Sequence, residues 1–126
     1  MTAVFAVFRL LTLLSWLTQA GVPVELWTEY AHVAACESNM QPTSVGDNGN
    51  AKGLMQIHWG VWYSWAVGEG LDIADQPDNP ATNLRMAYLI QERYSLPRGY
   101  DRWDQWTAQP HWAVCQQRLV QYLMRE

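Results

Sequence analysis

Two cysteines, Cys36 and Cys115, are the only ones in the 126 residues, and their state decides much of what the chain can be. Joined, they close a loop over most of the chain, and restricting so long a loop in the unfolded state contributes on the order of 4 kcal/mol. That is the single clamp expected of a small exported domain. Unjoined, they are two buried thiols of an intracellular protein. Either way the chain holds one domain, because two folds would leave each part too little apolar surface to bury. With 49% hydrophobic and 16% charged residues it can fill a core, and it lacks the charge of a disordered or coiled-coil chain.

The first twenty residues bear on the compartment. Arg9 is their only charge, Leu10 to Leu17 is an almost unbroken apolar run, and Thr18-Gln19-Ala20 offers small residues where a signal peptidase reads them. The expectation is a cleavable export signal over 1–20, leaving 126 minus 20, or 106, residues. The alternatives are an N-terminal anchor, for which Leu10 to Leu17 alone is too short to span a bilayer, and a core helix of the fold. A net charge of −4 with singly spread Lys and Arg gives no stripe for phosphates, so nucleic acid is not an expected partner.

The apolar spacing predicts a mainly helical domain over 21–126 with at most one short β-hairpin. Leu26, Tyr30 and Val33 recur at helical intervals from Pro23 to Asn39, and the next step along that face is Glu37. Pro42 is read as the stop. Thr43 to Gly53, with Asp47-Asn48-Gly49, has the chemistry of a hairpin or irregular loop, with Leu54 to His58 as a return strand. Trp59 to Val67 reads as a compact aromatic helix ended by Gly68 and Gly70, and Asp75 to Asp78 as a loop. Asn79-Pro80 opens a second clear helix carrying Leu84, Ala87, Tyr88 and Gln91 toward Tyr94, which Pro97 and Gly99 end. Tyr100 to Trp106 reads as a short helical turn. After Pro110, Trp112, Cys115, Leu119, Tyr122 and Leu123 form the apolar stripe of a last helix.

Glu37 is the acid best placed for chemistry, since a carboxyl group at the end of a core-facing stripe can be held protonated by apolar surroundings, as glycosidic cleavage requires. The plain alternative is a solvated residue at a helix end. Asp47 is equally a turn residue before Asn48-Gly49 or a second catalytic carboxylate. Of the eight tryptophans, Trp27 and Trp112 lie on helix stripes and read as structural. Trp59, Trp62, Trp103 and Trp106 are candidates for stacking on sugar rings. His32, His58 and His111 form no metal-ligand spacing, and no cofactor or metal is expected.

Cys36-Glu37-Ser38-Asn39-Met40-Gln41-Pro42, followed by Gly53-Leu54-Met55-Gln56-Ile57, resembles the Glu-Ser and Gly-Leu-Met-Gln motifs of the lytic transglycosylases of the lysozyme superfamily. Asn79-Pro80-Ala81-Thr82-Asn83 with Tyr88-Leu89 resembles the helix that follows in that family. A Cys before the catalytic Glu, with Trp-rich sequence running into a late Cys, is similar to the resuscitation-promoting factors, and that resemblance supports pairing Cys36 with Cys115. The resemblance implies an α+β, lysozyme-like fold and a secreted or cell-envelope monomer, periplasmic, extracellular or carried on a virion, that cuts peptidoglycan strands between N-acetylmuramic acid and N-acetylglucosamine. Glu37 would be acid and then base, with Ser38, Met55, Gln56, His58, Tyr88 and Trp106 binding substrate. The family's Ala-Tyr-Asn-Ala-Gly motif is absent, and Tyr100 to Ala108 stands in its place. Two other outcomes stay open: a muramidase using Glu37 with Asp47, and a noncatalytic wall-binding protein. An inhibitor or peptide-binding module built on the cysteine clamp is the remaining possibility.

Overall fold

A computed structural model describes residues 2–106 and 112–125; Thr107, Ala108, Pro110 and His111, which enter the readings above, lie outside them. It is mainly α-helical with a small antiparallel sheet, as the spacing predicts. Helix α1 runs Thr2–Ala20, α2 Trp27–Ser38, α3 Trp59–Gly68, α4 Pro80–Ile90 and α5 Trp112–Met124. Strands β1 (Val45–Gly46), β2 (Ala51–Lys52) and β3 (Ile57–His58) form a three-stranded meander, one strand more than the expected hairpin.

Helix α2 is shorter at both ends than its apolar pattern suggests. Pro23 leads into a 3₁₀ turn, Val24–Leu26, before the α-helix proper. At the other end Asn39 takes a left-handed conformation and its N–H bonds the carbonyl of Ala35, so the stop precedes Pro42. Tyr30, Val33 and Ala34 are buried along the expected stripe, and Cys36 and Glu37 fall at its edge. Asn79 caps α4, its side-chain oxygen accepting from Thr82 N–H, with Pro80 in the first turn. Past Ile90 this helix widens into a π-helical turn, Gln91–Ser95, then tightens to a 3₁₀ turn ended by Gly99 at φ 79°.

The core gathers α1, α2, α4 and α5 around Leu17, Tyr30, Val33, Leu54, Leu84 and Ile90. Trp103 enters it edge-on to Tyr30, Trp106 and Trp112, and its indole N–H bonds Glu29 at 2.8 Å. The segment 100–106 is a run of hydrogen-bonded turns and not a helix; Asp101 accepts from Trp103 N–H, and Ser95 donates to Asp104. Tyr30 donates to buried Gln91, which also accepts from Arg102. Burial pushes the Tyr30 hydroxyl well above its ordinary pKa, which keeps it a donor.

Cys36 and Cys115 are bonded, joining α2 to α5 across a separation of 79 residues. On α5 the inward residues are Trp112, Cys115, Leu119, Tyr122 and Leu123, the predicted stripe. A disulfide and an N-terminal apolar helix together are marks of an exported chain. Helix α1 is apolar and long enough to cross a membrane, yet Leu13, Leu17 and Ala20 in its second half belong to the core.

Candidate active site

Glu37 stands at the last turn of α2, half-buried, and lines a hollow of about 280 Å³ with Gly46, Asp47, Ala51 and Gln56. A second hollow of about 310 Å³ is lined by Val61, Trp62 and Ile90. The two share Gln56, His58, Gln105 and Trp106, so they read as two stations of one cleft. The walls come from the end of α2, the small sheet, the first turn of α3 and the turn that ends at Trp106.

The loop between Glu37 and α3 is held in an unusual backbone. Among the described residues, every non-glycine with positive φ falls between Asn39 and Gln56: Asn39, Met40, Asp47, Asn48 and Gln56. Such conformations cost about 1 kcal/mol or more each and persist where surrounding contacts over-determine them, as at binding sites. The contacts are visible here. Gln56 turns its amide back on its own loop, donating to Ser44 and Gly53 carbonyls. Asn83, fully buried on α4, accepts from Met55 N–H at 2.8 Å and donates to the carbonyls of Lys52 and Pro77. Gly53, at φ 82°, packs so closely that an added Cβ would strike Asn83 and the Pro77 carbonyl.

The expected site residues thus divide into two groups. Glu37, Asp47, Gln56, His58 and Trp106 come together in the cleft. Ser38, Met55 and Tyr88 are not among its lining residues. Ser38 is buried and donates to the Ala34 carbonyl, the back-bond a helical serine makes when it faces a core. The Met55 side chain is fully buried; its backbone serves the site, its carbonyl accepting from the Trp106 indole. Tyr88 is half-buried on α4, and burial with nearby Glu92 raises its hydroxyl pKa. Cys36, next to Glu37, ties the site to α5.

Among the tryptophans, Trp62 lines the cleft as expected; Trp106 lines it with a ring that is otherwise buried in the core, and Trp59 and Trp103 are corrected to core positions away from it. Each of those two buries its ring and satisfies its indole N–H on a carboxylate, Asp75 for Trp59 and Glu29 for Trp103. Their irregular sequence neighbourhood gave no sign of that partner. Sequence reasoning also missed Gln105, whose position depends on the turns after Asp101, and the pairing of His58 Nε2 with Asp47 Oδ2 at 2.8 Å. The latter was detectable only as a short polar residue and a histidine eleven apart, a spacing that a β-meander brings across itself.

What fold and site define is a small, disulfide-clamped, mainly helical domain with an acid-bearing cleft. The chain matches no family model, no curated protein and no solved structure.

Proposed function

We propose that this chain cleaves peptidoglycan glycan strands as a lytic transglycosylase, acting between N-acetylmuramic acid and N-acetylglucosamine with Glu37 as its catalytic acid. The observation that carries this reading is the cleft itself: Glu37 and Gln56, from the two motifs that resemble the transglycosylases, line one hollow although nineteen positions separate them. The adjoining hollow, with Trp62 on its wall, supplies an aromatic edge beside the place where a neighbouring sugar would lie. Glu37 protonates the leaving oxygen, and the carboxylate then takes a proton from the 6-hydroxyl of the same muramyl residue, which closes an anhydro ring. The chemistry asks for no cofactor. The disulfide suits an extracytoplasmic setting, periplasmic, extracellular or on a virion, where the wall is reached.

Asp47 favours a second reading. It lines the same hollow as Glu37 and its carboxylate is held by His58. A carboxylate so held could activate a water on the far face of the sugar, giving hydrolysis with inversion. Mass spectrometry of muropeptides released from purified peptidoglycan by the oxidised protein separates the two. Anhydromuramyl ends lost in Glu37→Gln and kept in Asp47→Asn support the transglycosylase. Reducing ends lost in both variants support the muramidase. Wall binding without release by the wild type overturns both in favour of a noncatalytic binding protein.

A further inference from the structure

The first half of α1 presents a broad, uncovered apolar face. Val4, Phe5, Val7, Phe8, Leu10 and Leu11 are all exposed, and at 100° per residue they spread over about 220° of the helix, the rest of which holds Arg9 and faces the end of α5. The end of α5 lies beside them, where Ala6, Val7 and Leu10 meet Val120, Leu123 and Met124 around a hollow lined by apolar atoms alone. The one charge of α1 is turned inward. Arg9 Nη1 donates to the carbonyls of Tyr122 (3.0 Å), Leu123 (3.3 Å) and Arg125, capping the negative end of α5.

The second half of α1 is finished as a helix of the fold. Gly21 is left-handed, its N–H bonds Thr18 carbonyl and Val22 N–H bonds Leu17 carbonyl, the paired bonds of a glycine-terminated helix. The junction where cleavage is expected is also engaged: Ala20 is buried, its carbonyl accepts from Arg85, and Val22 carbonyl accepts from the Trp27 indole. Removing 1–20 would strip Leu13, Leu17 and Ala20 from the core.

Charge identifies what covers the free half. By sequence, residues 2–24 and 112–126 carry Arg9, Arg118 and Arg125 against Glu126 alone, 3 minus 1 or +2, in a chain whose net charge is −4. A second copy docked face to face would set these cations against their own kind, while an anionic lipid surface complements them. An uncovered apolar arc wider than half the helix is covered by lipid without a shaped partner, whereas a protein groove covers a narrower stripe. Ten residues at 1.5 Å each reach about 15 Å, half the hydrocarbon core, so this half enters a bilayer without crossing it while the other half stays docked.

We propose that α1 is retained in the mature protein as a helix of the fold, and that its free half, with the last turns of α5, seats the protein on an anionic lipid surface. The proposal rests on no part of the catalytic reading. Its test is intact-mass measurement of the full chain expressed in a host with an export pathway, followed by flotation with vesicles. The expected result is a product that keeps residues 2–20 and floats with mixed phosphatidylglycerol and phosphatidylcholine vesicles, but poorly with phosphatidylcholine alone. Arg125→Gln weakens flotation about fivefold. Val7→Glu with Phe8→Glu, both on the uncovered surface, abolishes it while circular dichroism and thermal midpoint stay unchanged. A mature product beginning near Gly21, equal flotation with both vesicles, or a soluble dimer that does not float would each overturn the proposal.

Discussion

Asn83 and Gly53 show how much of the site hangs on single contacts. Asn83 satisfies three backbone groups of the segment that carries Gln56 and contributes nothing to the cleft surface. Replacing it by Leu leaves the Met55 N–H and the Lys52 and Pro77 carbonyls without partners, at about 1 to 3 kcal/mol for each group that stays buried. Asn83→Leu is therefore expected to lose about 4 kcal/mol in denaturant unfolding. Gly53→Ala adds a methyl against backbone at a left-handed φ, and a loss of about 3 kcal/mol is expected. Glu37→Gln differs from both: it is expected to keep the thermal midpoint within a degree or so while abolishing muropeptide release. A fall in stability comparable to that of Asn83→Leu would make Glu37 a structural residue. The Glu-Ser and Gly-Leu-Met-Gln motifs were readable because their residue types are unusual in combination. Their division of labour was not. Ser38 and Met55 belong to the core and loop backbone, whereas Gln105 joins the cleft without any local signature.

Pairs of elements carry the next level of stability. The Cys36–Cys115 bond links α2 to α5 over 79 positions, and opening it restores on the order of 4 kcal/mol of unfolded-state freedom. Reduction, or Cys36→Ser with Cys115→Ser, is expected to lower the thermal midpoint by about 15 °C for a domain of this size. A midpoint unmoved by reductant would show that helix packing alone holds α5. His32, on α2 beside the Trp112 ring, adds a pH term. Burial lowers its pKa below the ordinary 6.5, with Glu29 acting in the opposite sense. The unfolded chain then takes up the proton more readily than the folded one. The stability associated with neutral His32 is whole above 6.5 and declines as pH falls below that value. Thermal midpoints measured from about pH 7.5 to about pH 5.5 should fall less in His32→Gln than in the wild type. Helices α2, α4 and α5 were legible from their apolar spacing and caps. The ends were less so: a left-handed Asn39 stops α2 ahead of Pro42, because the chain must turn at once to bring β1 under Glu37's hollow.

At the scale of the molecule, apolar surface and charge are sorted into regions. The acid-bearing cleft lies with the small sheet, whereas the exposed apolar half of α1 and the end of α5 stand together at another part of the surface. The clamp at Cys115 and the tip at Met124 are nine positions apart on α5, about 14 Å along its axis, which ties the neighbourhood of Glu37 to the apolar tip through one rigid helix. If the tip sits in lipid, wall close to the membrane is the wall within reach. Release from intact sacculi bound to anionic vesicles is then expected to fall in the Val7→Glu, Phe8→Glu variant, while release from soluble glycan strands is unchanged.

The sequence by itself determined a mainly helical domain, the inward stripes of α2 and α5, the cap of α4 and part of the cleft lining, Glu37, Asp47, Gln56 and His58, because periodicity, capping and turn chemistry act over a few neighbouring positions. Only the tertiary structure decided which tryptophans are buried, that Asn83 holds the loop behind the cleft, that His58 meets Asp47, and that α1 packs on the domain. Those outcomes depend on partners sixteen to more than a hundred positions away or across a strand pairing. A buried indole finds its carboxylate, and an apolar helix finds its neighbour, only after the chain has closed on itself.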